Sequence, residues 1–481
     1  MEMSVTKRIA KNFSWLLAGN IASGLINFFA IIYIARVLGA AGFGLLQFAQ
    51  AFLLYLVIIV DSGLSTYGSR EIARDRSQAQ QISVNIFSLR LLIALMAFCL
   101  SLFILLVIPI PSTIRLLFII TFLLVFYRAL NADWIFQGLE KMEYVAASKL
   151  IFSITTFCFI VLLVKQPADL INIPMIQFVT GLAVALAILF VLFKRFFPFD
   201  LKKISFKSWP KAFFLAIPLG ASTILMQIYD NLDTIMLGIM NNPTAVGIYN
   251  AAYRMFYIFA GVFSLWLAAA LPIACKRMSE DQAGTKTFLE KFMRLTLLLI
   301  IPVTTLVCLA SPLIIRIFFG NEYGESILAL RYLIWALIPL AVSNTYGSLV
   351  LIPAGLFNQF LISVGAGALA NIVLNIILIP KFSYIGAAVA TIIAQVVASM
   401  FAFKLSQKVF DLSFGKYLVK PLAISFLSFS VFFLVYSSFS GQHSIIQLLI
   451  SNVLFFAVAG VLLIYLEYGF IAGFIREILR K

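Results

Sequence analysis

The chain has 481 residues, of which 63% are hydrophobic and 11% charged, with a formal net charge of +16 at pH 7. A soluble domain carries roughly 25% charged residues, so the composition excludes an ordinary soluble protein. A mean hydropathy of +1.07 points to an integral membrane chain. Its hydrophobic runs of about 18–25 residues suit α-helical crossings of a hydrocarbon core, and the alternation of a β-barrel is missing. The expected fold class is an all-α polytopic membrane protein. The basic start MEMSVTKRIAKNF leads into a long span without a small-residue cleavage site, so no cleavable signal peptide is expected.

About fourteen transmembrane helices are predicted, in chain order. Six lie near 12–35, 41–62, 83–108, 113–136, 144–165 and 170–193. A basic connection over 194–211, with Pro198 and Pro210, follows them. Six more lie near 212–240, 245–274, 289–318, 326–351, 356–379 and 384–404, and two extra spans near 417–438 and 445–467 close the chain. The expected domains are an N-terminal lobe (1–193), a cytoplasmic linker (194–211), a C-terminal lobe (212–406) and an additional pair of spans with a tail (407–481). With both termini cytoplasmic, about 26 of the 35 Lys and Arg fall inside, about 6 outside and about 3 within spans. The basic charge is thus a topology signal with affinity for anionic lipid headgroups, and nucleic acid is not an expected partner.

The helices opening each block share a pattern. AAGFGLLQFAQAF at 40–52 aligns with TAVGIYNAAYRMF at 244–256, matching Gly44 to Gly247, Gln47 to Asn250 and Ala49 to Ala252. An even number of spans between the copies gives both the same orientation. Two parallel, pseudo-symmetric lobes are expected, with a substrate cavity at their interface. No long outer loop, Walker A motif, GxSxG elbow or HExxH occurs, so no enzyme and no ATP hydrolysis is expected. Cys99, Cys158, Cys275 and Cys308 lack metal-ligand spacing and read as packing residues. The one histidine, His443, lies in a short outer loop, which leaves no basis for a histidine metal site.

Charges inside spans are costly and by default face a cavity or a partner. The candidates are Asp61, Arg90, Arg128 and Asp133 in the inner half, and Asp230, Asp233 and Arg254 in the outer half. Thr223, Gln227, Asp230, Asn231 and Thr234 form one helical stripe, and Gly247, Asn250, Arg254, Tyr257 and Gly261 form another. Asn20, Ser23, Gly24 and Asn27 make a third, continued by Gln47 and Gln50. These stripes suggest one polar cavity, set against the plainer reading that Asn, Ser and Gln join neighbouring helices. Asp233 sits roughly 60° beyond its stripe. Two carboxylates three residues apart disfavour double ionisation in a poorly solvated cavity, which makes Asp230 and Asp233, with Asp61, candidates for H⁺ or Na⁺ coupling. Asp61 and Asp133 read more readily as helix-end groups. Arg90 is within snorkelling reach of the inner surface, and Arg128 is better placed to contact an anion.

Four segments together resemble a known family. NFSWLLAGNIASGLINFFAIIYIARVLGAAGFGLLQFAQAF, NADWIFQGLEKMEYVAASKL, YDNLDTIMLGIMNNPTAVGIYNAAYRM and NIVLNIILIPKFSYIGAAVATIIAQ occur in the order found in the polysaccharide flippases. Those proteins export lipid-linked O-antigen, capsule or exopolysaccharide repeat units, within the multidrug, oligosaccharidyl-lipid and polysaccharide exporter superfamily. The resemblance covers the chain to about residue 406, leaving the last two spans without a matching motif. It implies alternating access and a polyprenyl-pyrophosphate-linked oligosaccharide as substrate, with membrane lipids and the pathway's glycosyltransferases and polymerase as partners. It also implies that Arg254 falls at the family's basic position, with Arg90 and Arg128 as additions; no cofactor is expected, and transport without ATP is passive, exchange-driven or coupled to H⁺ or Na⁺ through the acidic cluster. Arginine offers a planar fork of donors suited to phosphate oxygens. Span 1 lacks the central charge of lipid II flippases, which counts against that substrate. The rival is an ion-coupled multidrug exporter of the same superfamily; a membrane glycosyltransferase, a polymerase or a passive channel fits less well.

Overall fold

The computed structural model describes the backbone of residues 5–198, 200–412, 415–438 and 445–479. Side chains at 5–10, 13, 201, 221–226, 228–230, 445 and 474–479 are outside the described set. Among the described residues there is no strand, and 11 stretches are long and apolar enough to cross a membrane. The chain is a multi-pass helical membrane protein. It divides into two compact units, Met1–Gly238 and Ile239–Lys481. The sequence suggested a boundary in the connection 194–211; the division by contact falls one helix later.

The first unit opens with α1 (Val5–Asp61), a single helical run of 57 residues. At 1.5 Å per residue a straight helix of that length would be roughly 85 Å long, far more than the ~30 Å hydrocarbon core. It breaks at Gly39, whose φ of 67° takes the chain out of helical conformation. The expected spans 12–35 and 41–62 lie on either side of that break. Then come α2 (Leu64–Arg74), α3 (Ala79–Val107), α4 (Ser112–Ala129), the short α5 (Asp133–Gly138), α6 (Met142–Leu163), α7 (Asn172–Arg195) and α8 (Trp209–Met240). Leu64, Ile72, Phe87, Trp134, Ile135, Phe136, Val145, Leu192 and Ala216 form one buried core that joins α2, α3, α5, α6, α7 and α8. The basic connection is pinned to this core by Asn85, which donates to the Lys203 carbonyl (2.9 Å) and accepts from the Ser205 amide (2.7 Å) and the Trp209 indole (3.3 Å).

Two features fix the corner where α1 ends. Gly63 has φ +85°, and a Cβ there would lie 2.3 Å from the Ala216 carbonyl oxygen of α8. Helix α8 can therefore approach the turn only because position 63 carries no side chain. Beside it, the guanidinium of Arg90 is 5% exposed and lies 3.6 Å from Asp61 Oδ1. It also donates to the carbonyls of Arg128 (2.9 Å) and Asn131 (3.4 Å). The Arg128 carbonyl lies in the last turn of α4 and that of Asn131 just beyond it, where the helix dipole is negative. Asp61 is held in turn by the Ser65 hydroxyl. One side chain thus ties α1, α3 and α4 together.

The second unit comprises α9 (Pro243–Glu280), α10 (Gln282–Phe318), α11 (Ser326–Leu333), α12 (Leu337–Tyr346), α13 (Phe357–Ser406), α14 (Val419–Ser438) and α15 (Ile445–Leu479). Asn242 starts α9 by accepting from the Ala245 amide (2.9 Å), with Pro243 at the first helical position. Helix α13 is interrupted at Ser383 (φ 51°), so the expected spans 356–379 and 384–404 again lie on either side of a break. The core here is aromatic: Trp266 stacks on Phe292 at 5.4 Å, next to Phe288 and Tyr346. Leu298, Ile424, Phe432, Phe455 and Ala459 join α10 to α14 and α15. Large apolar side chains such as Phe103, Leu106, Phe190, Phe426 and Ile464 are exposed, as a surface facing lipid tails requires. Cys99, Cys158 and Cys275 share that exposure, whereas the sequence suggested that they pack inside.

Two stability effects are expected. Gly63→Ala should lower the melting temperature of the purified protein by an amount corresponding to more than about 1 kcal/mol, because it adds left-handed strain to a backbone clash. Arg90→Met should destabilise by about 3 kcal/mol by removing the counter-charge of Asp61 and a donor from two carbonyls. Adding Asp61→Asn to Arg90→Met should restore part of the loss in the same melting assay.

Candidate functional site

Polar groups in the first unit gather around two adjoining cavities that share Arg128 and Asn131. One, of about 140 Å³, is lined by Tyr127, Asp133, Ser148, Lys149 and Phe152 among others. The second, of about 210 Å³, is lined by Asp61, Ser62, Thr66, Arg90, Gly220 and Gln227.

The site is assembled from distant sequence by close helix packing. A Cβ on Gly19 would lie 2.7 Å from Ala146 Cβ, so α1 and α6 approach closely at that level. The approach sets the residue after Gly19 against α6, and Lys149 Nζ donates to Asn20 Oδ1 at 2.9 Å. One residue earlier on α6, the Ser148 hydroxyl donates to Asp133 Oδ1 at 2.9 Å. The Asp133 amide donates to Asn131 Oδ1, also at 2.9 Å, which fixes the link between α4 and α5. The guanidinium of Arg128 lies 5.2 Å from the centre of the Tyr127 ring, and its side chain is exposed.

The charges have different occupations. The positive charge of Arg90 is answered by Asp61, and two further contacts go to backbone carbonyls of the scaffold. Arg128 stands at the wall common to both cavities, with Lys149 in one of them and Asp133 opposite. A planar guanidinium, an ammonium and amide groups around these cavities are suited to holding phosphate oxygens and sugar hydroxyls.

The sequence-derived residues are distributed as follows. Asp61, Arg90, Arg128 and Gln227 line the two cavities. Asn20 joins them through Lys149, and Asn27 is exposed about two turns further along α1. Gln47 is instead buried in a glutamine ladder: it donates to Gln50 (3.4 Å), and Gln50 donates to Gln177 of α7 (3.3 Å). Gln50 thus has the helix-joining role weighed against the cavity reading, with Gln47 bonded to it. Asp233 is 6% exposed and lies within electrostatic range of Tyr55 on α1. The side chain of Asp230, like residue His443, lies outside the described residues.

Asn250, Arg254 and Tyr257 lie on α9 in the second unit. Asn250 is buried and donates back to the Val246 carbonyl at 2.9 Å. Arg254 is partly buried beside Tyr253 and Tyr257; Tyr253 stacks on Tyr249 at 5.7 Å, and Tyr257 is 54% exposed. Sequence reasoning missed Lys149, Asn131 and Ser148. Lys149 carried a usable signal, being a cation on the second turn of an apolar span. Among the described residues no group of three or more His, Cys, Asp or Glu gathers to hold a metal ion.

Comparison with known proteins places this architecture. The family described as "Polysaccharide biosynthesis protein" matches residues 9–278. A "Putative O-antigen transporter" of Escherichia coli (strain K12) is 22% identical over 396 residues, covering 80% of this chain and 94% of that protein. Among solved structures, lipid II flippase MurJ in its inward closed conformation superposes with a TM-score of 0.76 at 20% identity, covering 95% of this chain and 99% of that one. An inward-facing multidrug resistance MATE family transporter of the MOP superfamily gives a TM-score of 0.66 at 15% identity, covering 80% and 94%. The chain therefore belongs to the polysaccharide biosynthesis protein family, as its four motifs implied, and has the fold shared by these exporters.

Proposed function

We propose that the protein is a flippase that moves a polyprenyl-pyrophosphate-linked oligosaccharide from the cytoplasmic to the outer leaflet of the cell membrane, by alternating access, for polysaccharide export. The observation that carries this reading is the placement of Arg128. It is a cation at the junction of two polar cavities, and the neighbouring arginine is already neutralised by Asp61. The naming of the Escherichia coli relative as a putative O-antigen transporter supports the substrate class.

The physical task fits the site. A pyrophosphate cannot cross hydrocarbon unsolvated, because an isolated ion in a low-dielectric medium costs tens of kcal/mol by Born solvation. Donors must replace its water throughout the crossing. The polyprenyl tail stays in lipid, where each buried CH₂ contributes about 0.8 kcal/mol. In this reading Arg128 and Lys149 take phosphate oxygens and Asn20, Asn131 and Gln227 meet sugar hydroxyls; Arg254 on α9 is a separate candidate for phosphate contact. The protein is a carrier rather than a catalyst, and the enzymes that build and polymerise the repeat unit are its pathway partners. Coupling to H⁺ or Na⁺ is assigned to Asp61, Asp230 and Asp233.

In proteoliposomes loaded with a fluorescent polyprenyl-pyrophosphate oligosaccharide, Arg128→Ala should slow flipping about tenfold or more, as expected for one charge-assisted bidentate contact. Arg128→Lys should retain part of the rate. An unchanged rate in Arg128→Ala would remove the main support for this substrate, and efflux of a cationic dye in its place would favour the drug-exporter reading. For coupling, Asp230→Asn should abolish the response of flipping to an imposed H⁺ or Na⁺ gradient. If wild-type flipping ignores both gradients and Asp230→Asn still stops it, the carboxylate serves substrate or structure instead.

A further inference from the structure

A separate basic site lies in the second unit, where α10, α14 and α15 meet. Glu467 of α15 is 1% exposed, and both its carboxylate oxygens are occupied: Arg294 of α10 pairs with Oε2 and Lys420 of α14 pairs with Oε1. The guanidinium of Arg294 also stacks 4.1 Å from the centre of the Phe470 ring. Beside these lies Lys416, 51% exposed and paired to Glu290 at 3.1 Å. Arg294, Lys416, Lys420, Tyr417 and Leu298 line a cavity of about 280 Å³.

The construction is asymmetric. The carboxylate that orders the cations is sealed behind them, while Arg294, Lys416 and Lys420 are 30%, 51% and 55% exposed. Three cations meet two carboxylates, so the mouth keeps a positive charge that a buried Glu467 cannot fully cancel. The far wall is apolar: Leu298 belongs to the core shared by the three helices. Close in sequence to Lys420 and Glu467, Val419, Leu422 and Phe426 of α14 and Ile464 and Tyr468 of α15 are exposed, offering apolar surface to an acyl chain. The cavity sits at the end of the unit that bears the basic loops, where the positive-inside rule puts the cytoplasmic leaflet. Basic pockets between membrane helices on that side suit anionic headgroups.

We propose that this cavity binds the phosphate of an anionic phospholipid headgroup, with Arg294, Lys416 and Lys420 as its donors and Glu467 as the buried group that orients two of them. The site is independent of the cavities around Arg128 and of the transported substrate. The glutamate holds the cations in place when the cavity is empty, and an arriving phosphate oxygen takes up their outward N–H groups.

The test uses the full chain purified in a neutral detergent and mixed with equal amounts of dioleoylphosphatidylglycerol and dioleoylphosphatidylcholine, with retained lipid counted by native mass spectrometry. Wild type should retain phosphatidylglycerol preferentially. Lys416→Gln, which leaves both Glu467 ion pairs in place, should reduce that preference about fivefold, and Lys416→Gln with Lys420→Gln should reduce it further. Lys381→Gln, an exposed charge on α13, should leave it unchanged. Inorganic phosphate at a concentration that displaces phosphatidylglycerol from wild type would support the phosphate chemistry and identify a soluble phosphate as the natural occupant; failure to compete would identify the lipid. Equal retention of the two lipids by wild type, or an undiminished preference in a Lys416→Gln protein with wild-type melting temperature, would overturn the proposal.

Discussion

A charge placed in hydrocarbon must find its partner within the protein, since water is not there to solvate it. That constraint organises both units. In the first, Arg90 answers Asp61 and the open end of α4, and Lys149 reaches across to Asn20. In the second, Glu467 draws one cation from α10 and another from α14. In each case the polar contact joins helices far apart in sequence, while the apolar faces around it interact with lipid almost as well as with one another. Stacked and edge-on aromatic contacts, such as Phe136 on Tyr144 at 4.8 Å, supply shape complementarity where the hydrophobic effect offers little preference.

Much of this was legible in the sequence. Hydropathy and the inside bias of Lys and Arg revealed the class, and the two longest helices break close to where the spans were divided, at Gly39 and Ser383. The inner-half charges Asp61, Arg90, Arg128 and Asp133 also stood out as a set. Their occupations did not. A helical wheel reports which way a side chain points, not which of two arginines has been used up by a neighbour. Asp61 and Asp133 read as helix-end groups and stand at the end of α1 and the start of α5, but that position did not reveal that Asp61 pairs with Arg90 or that both line cavities.

Other features depend on three-dimensional approach. Lys149 meets Asn20 because Gly19 lets α1 come close to Ala146, a relation between positions more than a hundred residues apart. Gln47 looked like part of a cavity stripe because polar residues that join helices obey the same spacing as those that line a pore. Arg294 and Glu467 escaped attention for a simpler reason. Each falls near the edge of an apolar run, where a lone charge reads as an interfacial anchor, and only packing shows that Glu467 is sealed inside.

The Arg90 arrangement has a consequence for how such a protein can change over time. The guanidinium that faces the cavities hangs from a backbone carbonyl that a second guanidinium holds in place. Holding the helices together and standing between the two cavities therefore fall to separate arginines. Residues around the rim such as Asn20 and Gln227 can be exchanged for others without disturbing the corner that keeps Arg128 in position, whereas Asn131 belongs to that corner. Change at the cavity wall is thereby separated from change in what makes the protein fold.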